Sequence, residues 1–171
     1  MWFIFGCFTA GTPQESQYFP LFQALQERNE LNGPLDILLE GLTGKDKPPF
    51  IAALPKAALA SPSGPLAVMG HVDHAWTYSY QDPSHATHPS RFYTVIRTLL
   101  RHYRAGVAAG ALARIAGSAQ KDLAMYLAQV EIAKKQLDPF QHGLLWMTST
   151  ELSNYVLLGD PAVRLPGPQV A

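Results

Sequence analysis

The sequence predicts an α/β fold, a three-layer α/β/α sandwich around a mostly parallel sheet, and three observations carry that expectation. Strand-like and helix-like segments alternate along the chain, the order from which parallel strands joined by right-handed crossovers are built. The strand-like runs, 2–8, 66–69 and 155–158, are apolar at consecutive positions rather than at every other one, as strands covered on both faces are. The 171 residues, 47% hydrophobic and only 15% charged, are enough for a single domain, 1–171, with one core.

Trp2 to Phe8 reads as the first buried strand, central in the sheet by its composition, and Thr9-Ala10-Gly11-Thr12-Pro13 as the turn that leaves it. Pro20 opens a short helix in which Leu21, Phe22 and Leu25 share a face, and Asn32-Gly33-Pro34 stops it. The segment 34–49, with Gly41, Gly44, Pro48 and Pro49, predicts a long exposed loop. Phe50, Ile51, Leu54, Ala57 and Ala58 suggest helical turns interrupted at Pro55. Leu66 to Met69 is the second strand, between Gly64-Pro65 and Gly70, and 71–90 is a second long loop, of a length that compact domains keep for function. Pro89-Ser90 then starts a helix with Phe92, Val95, Ile96, Leu99, Leu100 and Tyr103 on one face, followed by a longer one over about 107–136 that Asp138-Pro139 ends. Tyr155 to Leu158, closed by Gly159-Asp160-Pro161, is the third strand.

Composition narrows the function classes. Thirteen basic residues balance thirteen acidic ones, so no global field draws the chain to nucleic acid or to an anionic membrane. Arg91, Arg97, Arg101 and Arg104, at helical spacing opposite the apolar face, read as a solvated surface. The single cysteine, Cys7, admits no intrachain disulfide and fits a reducing compartment. The apolar opening lacks the Lys or Arg that precedes a signal sequence, and no apolar run reaches the length of a membrane span, so a cytoplasmic protein is expected. Neither a phosphate-binding Walker loop nor a Gly-x-Gly-x-x-Gly turn is present, and no cofactor is expected.

Cys7 stands at the carboxyl end of the first strand, where open parallel sheets gather their functional groups. A free thiol titrates near 8.5, so a nucleophilic cysteine needs a base beside it. Position alone favours a core cysteine, a type among the most often buried. His71, Asp73, His74, Asp82, His85 and His88 lie close together in the 71–90 loop, but their spacing matches no established metal-ligand pattern, and no metal is expected.

Three segments together resemble the caspase-like cysteine peptidases of the gingipain and CHAT type. Phe3-Ile4-Phe5-Gly6-Cys7-Phe8-Thr9-Ala10-Gly11-Thr12-Pro13 is similar to the strand that delivers the nucleophile in that clan. Gly64-Pro65-Leu66-Ala67-Val68-Met69-Gly70-His71-Val72-Asp73-His74-Ala75-Trp76 resembles the next core strand and its loop, and Asn154 to Leu165, with Gly159-Asp160-Pro161, the terminal strand and its turn. The resemblance implies a caspase-like fold with Cys7 as the catalytic nucleophile, attacking a peptide carbonyl with backbone amides, including its own, binding the oxyanion. It also implies substrate binding by the loop that carries His71, Asp73 and Trp76, the tryptophan matching one that lines the pocket for the residue before the scissile bond.

One departure shapes the expectation. In that clan the catalytic histidine precedes the cysteine in a His-Gly motif, whereas His71, His74, His85, His88, His102 and His142 all follow Cys7 here. The chain thus resembles the C-terminal half of the domain, lacking the N-terminal strands. The partners expected are a peptide or protein substrate and a missing N-terminal half, or a partner chain, at the first strand. Alone the chain is expected to be inactive as a peptidase, and a non-catalytic interaction module of the same fold is the alternative.

Overall fold

The computed structural model of the chain describes residues 1–28, 35–42, 48–81 and 86–166. In chain order its elements are β1 (Trp2–Phe3), β2 (Gly11–Thr12), α1 (Phe19–Glu27), α2 (Leu35–Gly41), β3 (Phe50–Ile51), α3 (Ala53–Ala60), β4 (Ala67–His71), a 3-10 turn (Thr77–Ser79), α4 (Ser90–Leu100), α5 (Ala105–Ala133), α6 (Pro139–Ser153) and β5 (Tyr155–Gly159).

The predicted three-layer sandwich on a mostly parallel sheet does not form. Helices take 54% of the described residues and strands 12%, and the main sheet is small and mixed, in the order β1-β4-β5. β1 runs parallel to β4, with Trp2 opposite Val68 and Phe3 opposite Met69, but β5 runs antiparallel to it, with Tyr155 opposite His71. The reversal follows from helix lengths. α5, with 29 residues, is about 43 Å long. It starts at the far end of β5, where Ala105 N–H donates to Val163 O (2.8 Å) and Gly106 N–H to Pro161 O (2.8 Å). α6 ends near the middle of α5, where the Gln120 amide donates to Ser153 Oγ (2.9 Å). α6 therefore never recrosses the sheet, and β5 starts at the end where β4 stops.

The first strand also differs from its expectation. It is short and lies at the sheet edge, because the chain turns away at Gly6 and again at Phe8, which holds a left-handed φ of +55°. Trp2 and Phe5 are left 46% and 47% exposed, where a central strand would bury both. The 34–49 loop contains α2, which seats Leu42 in the interior, while positions 34 and 43–47 fall outside the described residues. Phe50 and Ile51 pair with β2 instead of starting a helix, and Pro55 sits in the first turn of α3, where its missing N–H has no partner to lose. Within 71–90 the 3-10 turn and a bridge between Gln81 and Thr87 give local order, and 82–85 lie outside the described residues.

α6 had no counterpart in the sequence reading, although its start is well marked: the Asp138 carboxyl accepts from Phe140 N–H (2.9 Å) and Gln141 N–H (3.3 Å), with Pro139 in the first turn. Two apolar clusters hold these elements together. Met69, Val95, Leu99, Ala108, Leu112, Ala116 and Leu152 form the larger, between the sheet and α4, α5 and α6. On α4 only part of the predicted face is used, for Ile96, Leu100 and Tyr103 are exposed. The second cluster, Tyr18, Phe22 and Leu42 with Phe8, Trp76, Trp146 and Met147 against it, lies between α1, α2, α6 and the loops that follow β1 and β4. Among the described residues no helix is long and apolar enough to cross a membrane.

Candidate functional site

Cys7 is exposed, in the turn that follows β1. Three backbone contacts seat this turn on the end of β4: Ile4 N–H donates to Met69 O (2.9 Å), Phe8 N–H to Asp73 O (3.0 Å) and Ala10 N–H to His71 O (2.9 Å). Thr9 locks it from inside, its hydroxyl lying 3.1 Å from Gly6 O and accepting from His71 N–H at 2.9 Å. The approach is so close that a Cβ on Gly70 would stand 2.9 Å from Thr9 Oγ1 and 3.0 Å from Ala10 N, which is why glycine serves there. The left-handed Phe8 is a strained position for a bulky residue, and its ring, 6.1 Å from His74, helps hold it.

The Cys7 sulfur meets the loop after β4. Ala75 N–H donates to Sγ at 3.3 Å, and Sγ lies 3.6 Å from Ala75 O. No imidazole among the described residues hydrogen-bonds the sulfur. The Cys7 main-chain N–H itself donates to no protein acceptor among them.

The predicted loop residues surround this contact, but not as substrate-facing groups. His71 is fully buried, with Nδ1 2.8 Å from Asp73 O and 3.2 Å from Asp73 N, and Nε2 3.1 Å from Glu151 O. Burial lowers its pKa, and both nitrogens are spent on main chain, so it is not placed to take the Cys7 proton. Asp73 is buried too and serves as a tie: its carboxyl accepts from Ser16 Oγ (2.9 Å), Gln17 N–H (3.2 Å) and His74 N–H (2.8 Å), joining the segment before α1 to the loop. Trp76 is half-buried, its ring 4.5 Å from His74, 5.6 Å from Phe22 and 5.9 Å from Tyr18. Phe22 lines an apolar groove of about 290 Å³ between α1 and α6, and Trp76 itself does not. Burial lowers the pKa of His74, and no group of three metal-ligating side chains occurs among the described residues, with Asp82 and His85 outside them.

One residue at this site escaped the sequence reading. Glu151, on α6, is fully buried, and its Oε2 accepts from Trp76 N–H at 2.6 Å while Oε1 has no partner. Burial pushes its pKa up to about 8, against the hydrogen bond from Trp76 N–H, which acts the other way. The Tyr18 and Tyr155 hydroxyls, Ser79 Oγ and the Asn154 amide are likewise buried without partners, and burial raises the pKa of both tyrosines. A single Glu in Thr148-Ser149-Thr150-Glu151-Leu152-Ser153 carries no periodic signal; only the recognition of α6 as a helix against the sheet would have flagged it as inward.

The arrangement presents an exposed thiol on a strained turn, with an amide proton aimed at the sulfur and a buried polar layer behind the loop that supplies it. No protein-family model, no curated protein and no solved structure matches the chain.

Proposed function

We propose that Cys7 is the nucleophile of a cysteine-peptidase-like centre of the caspase-like type, completed by a histidine from outside this chain and inactive without it. The observation that carries the reading is the exposed Cys7 in the turn beyond a strand parallel to its neighbour, with its own N–H unpaired among the described residues. An oxyanion needs such an N–H, preorganised and free of other acceptors, and a thiol needs an imidazole within hydrogen-bond reach before it attacks an amide. The open side of β1 is where the segment bearing that imidazole would pair. The substrate would be a peptide or protein, with the 71–90 loop beside the sulfur.

The test is covalent labelling with a peptidyl-ketone probe, followed by intact mass, on the chain alone and on the chain coexpressed with the polypeptide encoded directly upstream. Cys7-dependent labelling, lost in Cys7→Ala, is expected in the coexpressed form alone. Absence of labelling in both would overturn the reading. The second reading, a non-catalytic interaction module, is favoured by the same open edge with its exposed Trp2 and Phe5, and by the lack of any described imidazole on the sulfur. It predicts binding at β1 that survives Cys7→Ala unchanged.

A further inference from the structure

We propose that Glu151 is the positioning residue for Cys7, gripping both ends of the 71–76 segment and so aiming the Ala75 N–H at the sulfur. The inference rests on the reading of Cys7 as the reacting group, and it requires no peptide recognition. At one end of the segment, the Glu151 main-chain oxygen lies 3.1 Å from His71 Nε2; at the other, its Oε2 takes the Trp76 N–H at 2.6 Å. Both ring nitrogens of His71 face main-chain oxygens, Nδ1 2.8 Å from Asp73 O and Nε2 3.1 Å from Glu151 O, so the imidazole spans the start of the segment and α6. His74 N–H is fixed on Asp73 Oδ1 (2.8 Å), so Ala75 sits between two anchored neighbours and its N–H reaches Sγ at 3.3 Å. An amide proton held there stabilises negative charge on sulfur without a proton transfer of its own.

Glu151 occupies an enclosed setting. Tyr18 faces it from α1, Asp73 from the loop, Ser79 from the 3-10 turn and Tyr155 from β5, and Oε1 is left without a partner. While neutral, the carboxyl accepts the Trp76 N–H and leaves no charge unpaired. When it ionises, near its raised pKa of about 8, it places a charge against Asp73 in a dry site. Ionisation strengthens the bond from Trp76 N–H but sets the carboxylate against the Asp73 charge, and that repulsion works against the packing of the 71–76 segment. Burial keeps both tyrosines and His71 neutral over this interval.

The experiment is alkylation of Cys7 by iodoacetamide, in which the thiolate forms the S–C bond and iodide leaves, followed by intact mass from about pH 6 to about pH 10. Native protein, Glu151→Gln and Glu151→Ala are compared. Below about pH 7 the native and Glu151→Gln proteins react at matching rates, because the amide oxygen still accepts the Trp76 N–H. Above about pH 8 the native protein falls behind Glu151→Gln by about fivefold, and folded Glu151→Ala is slower than native by about fivefold below pH 7. A native-to-Gln ratio that stays constant across the range overturns the proposal, and so does a folded Glu151→Ala that alkylates at the native rate. Should Glu151→Ala fail to fold, the Glu151→Gln ratio decides alone. A shifting ratio with no peptidyl-ketone labelling would sustain Glu151 and remove the peptidase reading, and a constant ratio with labelling would do the reverse.

Discussion

The larger apolar cluster and the buried polar layer behind the Cys7 loop are built on different physics. Between the sheet and α4–α5, Met69, Val95, Leu99, Ala108, Leu112, Ala116 and Leu152 offer one another only apolar surface, and their burial is favourable at every contact. Beneath the Cys7 turn, Tyr18, His71, Asp73, Ser79, Glu151 and Asn154 are equally buried, yet several of their polar atoms meet no partner. Such groups cost stability when left unsatisfied. What the second region gains is a loop whose main-chain amides are held in place. Stability and preorganisation are thus housed in separate halves of the molecule, and each half can be perturbed while the other is watched.

The largest effect is expected in the apolar half. Leu112 is 2% exposed, and Leu112→Ala should cost about 3 kcal/mol in urea unfolding, from lost transfer energy and the cavity left behind. Iodoacetamide should modify Cys7 at the native rate in the folded variant. A changed rate would mean that the two halves are coupled through α5 or α6.

Next in size is the pH response of the polar half. Glu151 keeps its proton in the folded state up to about 8 but would release it near its ordinary 4.5 when unfolded. Its contribution is therefore whole below pH 4.5 and drains away as the pH rises toward 8. His71, with its folded pKa lowered from 6.5, opposes this: the unfolded chain takes up a proton below 6.5, so stability is lost as the pH falls through that point. Half-exposed His74 adds weakly in the same sense. Just below 6.5 the two slopes oppose each other; above 6.5 only the Glu151 slope remains, about 2 kcal/mol by pH 8. Unfolding of Glu151→Gln should show no such decline, and a parallel decline in both proteins would show the proton sits elsewhere.

Gly70→Ala should come third, at about 1–2 kcal/mol, because the new methyl must displace Thr9 or the Ala10 backbone. The same shift moves the Cys7 turn, so its alkylation rate should change along with stability, which Leu112→Ala leaves apart. An unchanged rate would show that the Thr9–His71 contact does not hold the turn.

The apolar half was largely legible in the sequence. The spacing of Phe92, Val95 and Leu99 announced α4, the helical region over about 107–136 announced α5, and the Leu66–Met69 and Tyr155–Leu158 runs announced two strands. Periodicity reports a face, and part of each is buried: Val95 and Leu99 on α4 and Leu112 on α5, while Ile96 and Leu100 of the predicted face stay exposed. The same reasoning failed for Trp2–Phe8, because a continuous apolar run does not distinguish a covered strand from an edge strand that turns away after Phe3. Strand direction failed as well, since it depends on where α6 stops along α5. Of the site, Cys7 lies in the turn beyond Phe3 rather than at the end of the strand, His71 and Asp73 turned out to face inward, and Glu151 went unseen. Each acts through partners between 56 and 80 positions away, such as Ser16 to Asp73 and His71 to Glu151, and no local pattern encodes a contact at that separation.

The smallest effect tests the polar half at a single atom. The Tyr18 hydroxyl is fully buried beside the Asn154 amide, and neither completes a hydrogen bond with the other. Tyr18→Phe removes the hydroxyl and leaves the ring contacts with Phe22, Trp76 and Trp146, at 6.5, 5.9 and 5.7 Å. An unsatisfied buried hydroxyl costs more than it returns, so the variant should gain about 0.5–1 kcal/mol in urea unfolding. Its removal also relieves the Glu151 carboxyl of one neighbour whose charge would oppose its own, a neighbour kept neutral by burial in any case, so the pH at which native stability declines should stay where it is. A loss of 1 kcal/mol or so instead would mean that the hydroxyl is bonded in solution, through water or a rotated Asn154. The polar half would then be a satisfied network, and its cost to the fold would lie in Glu151 alone.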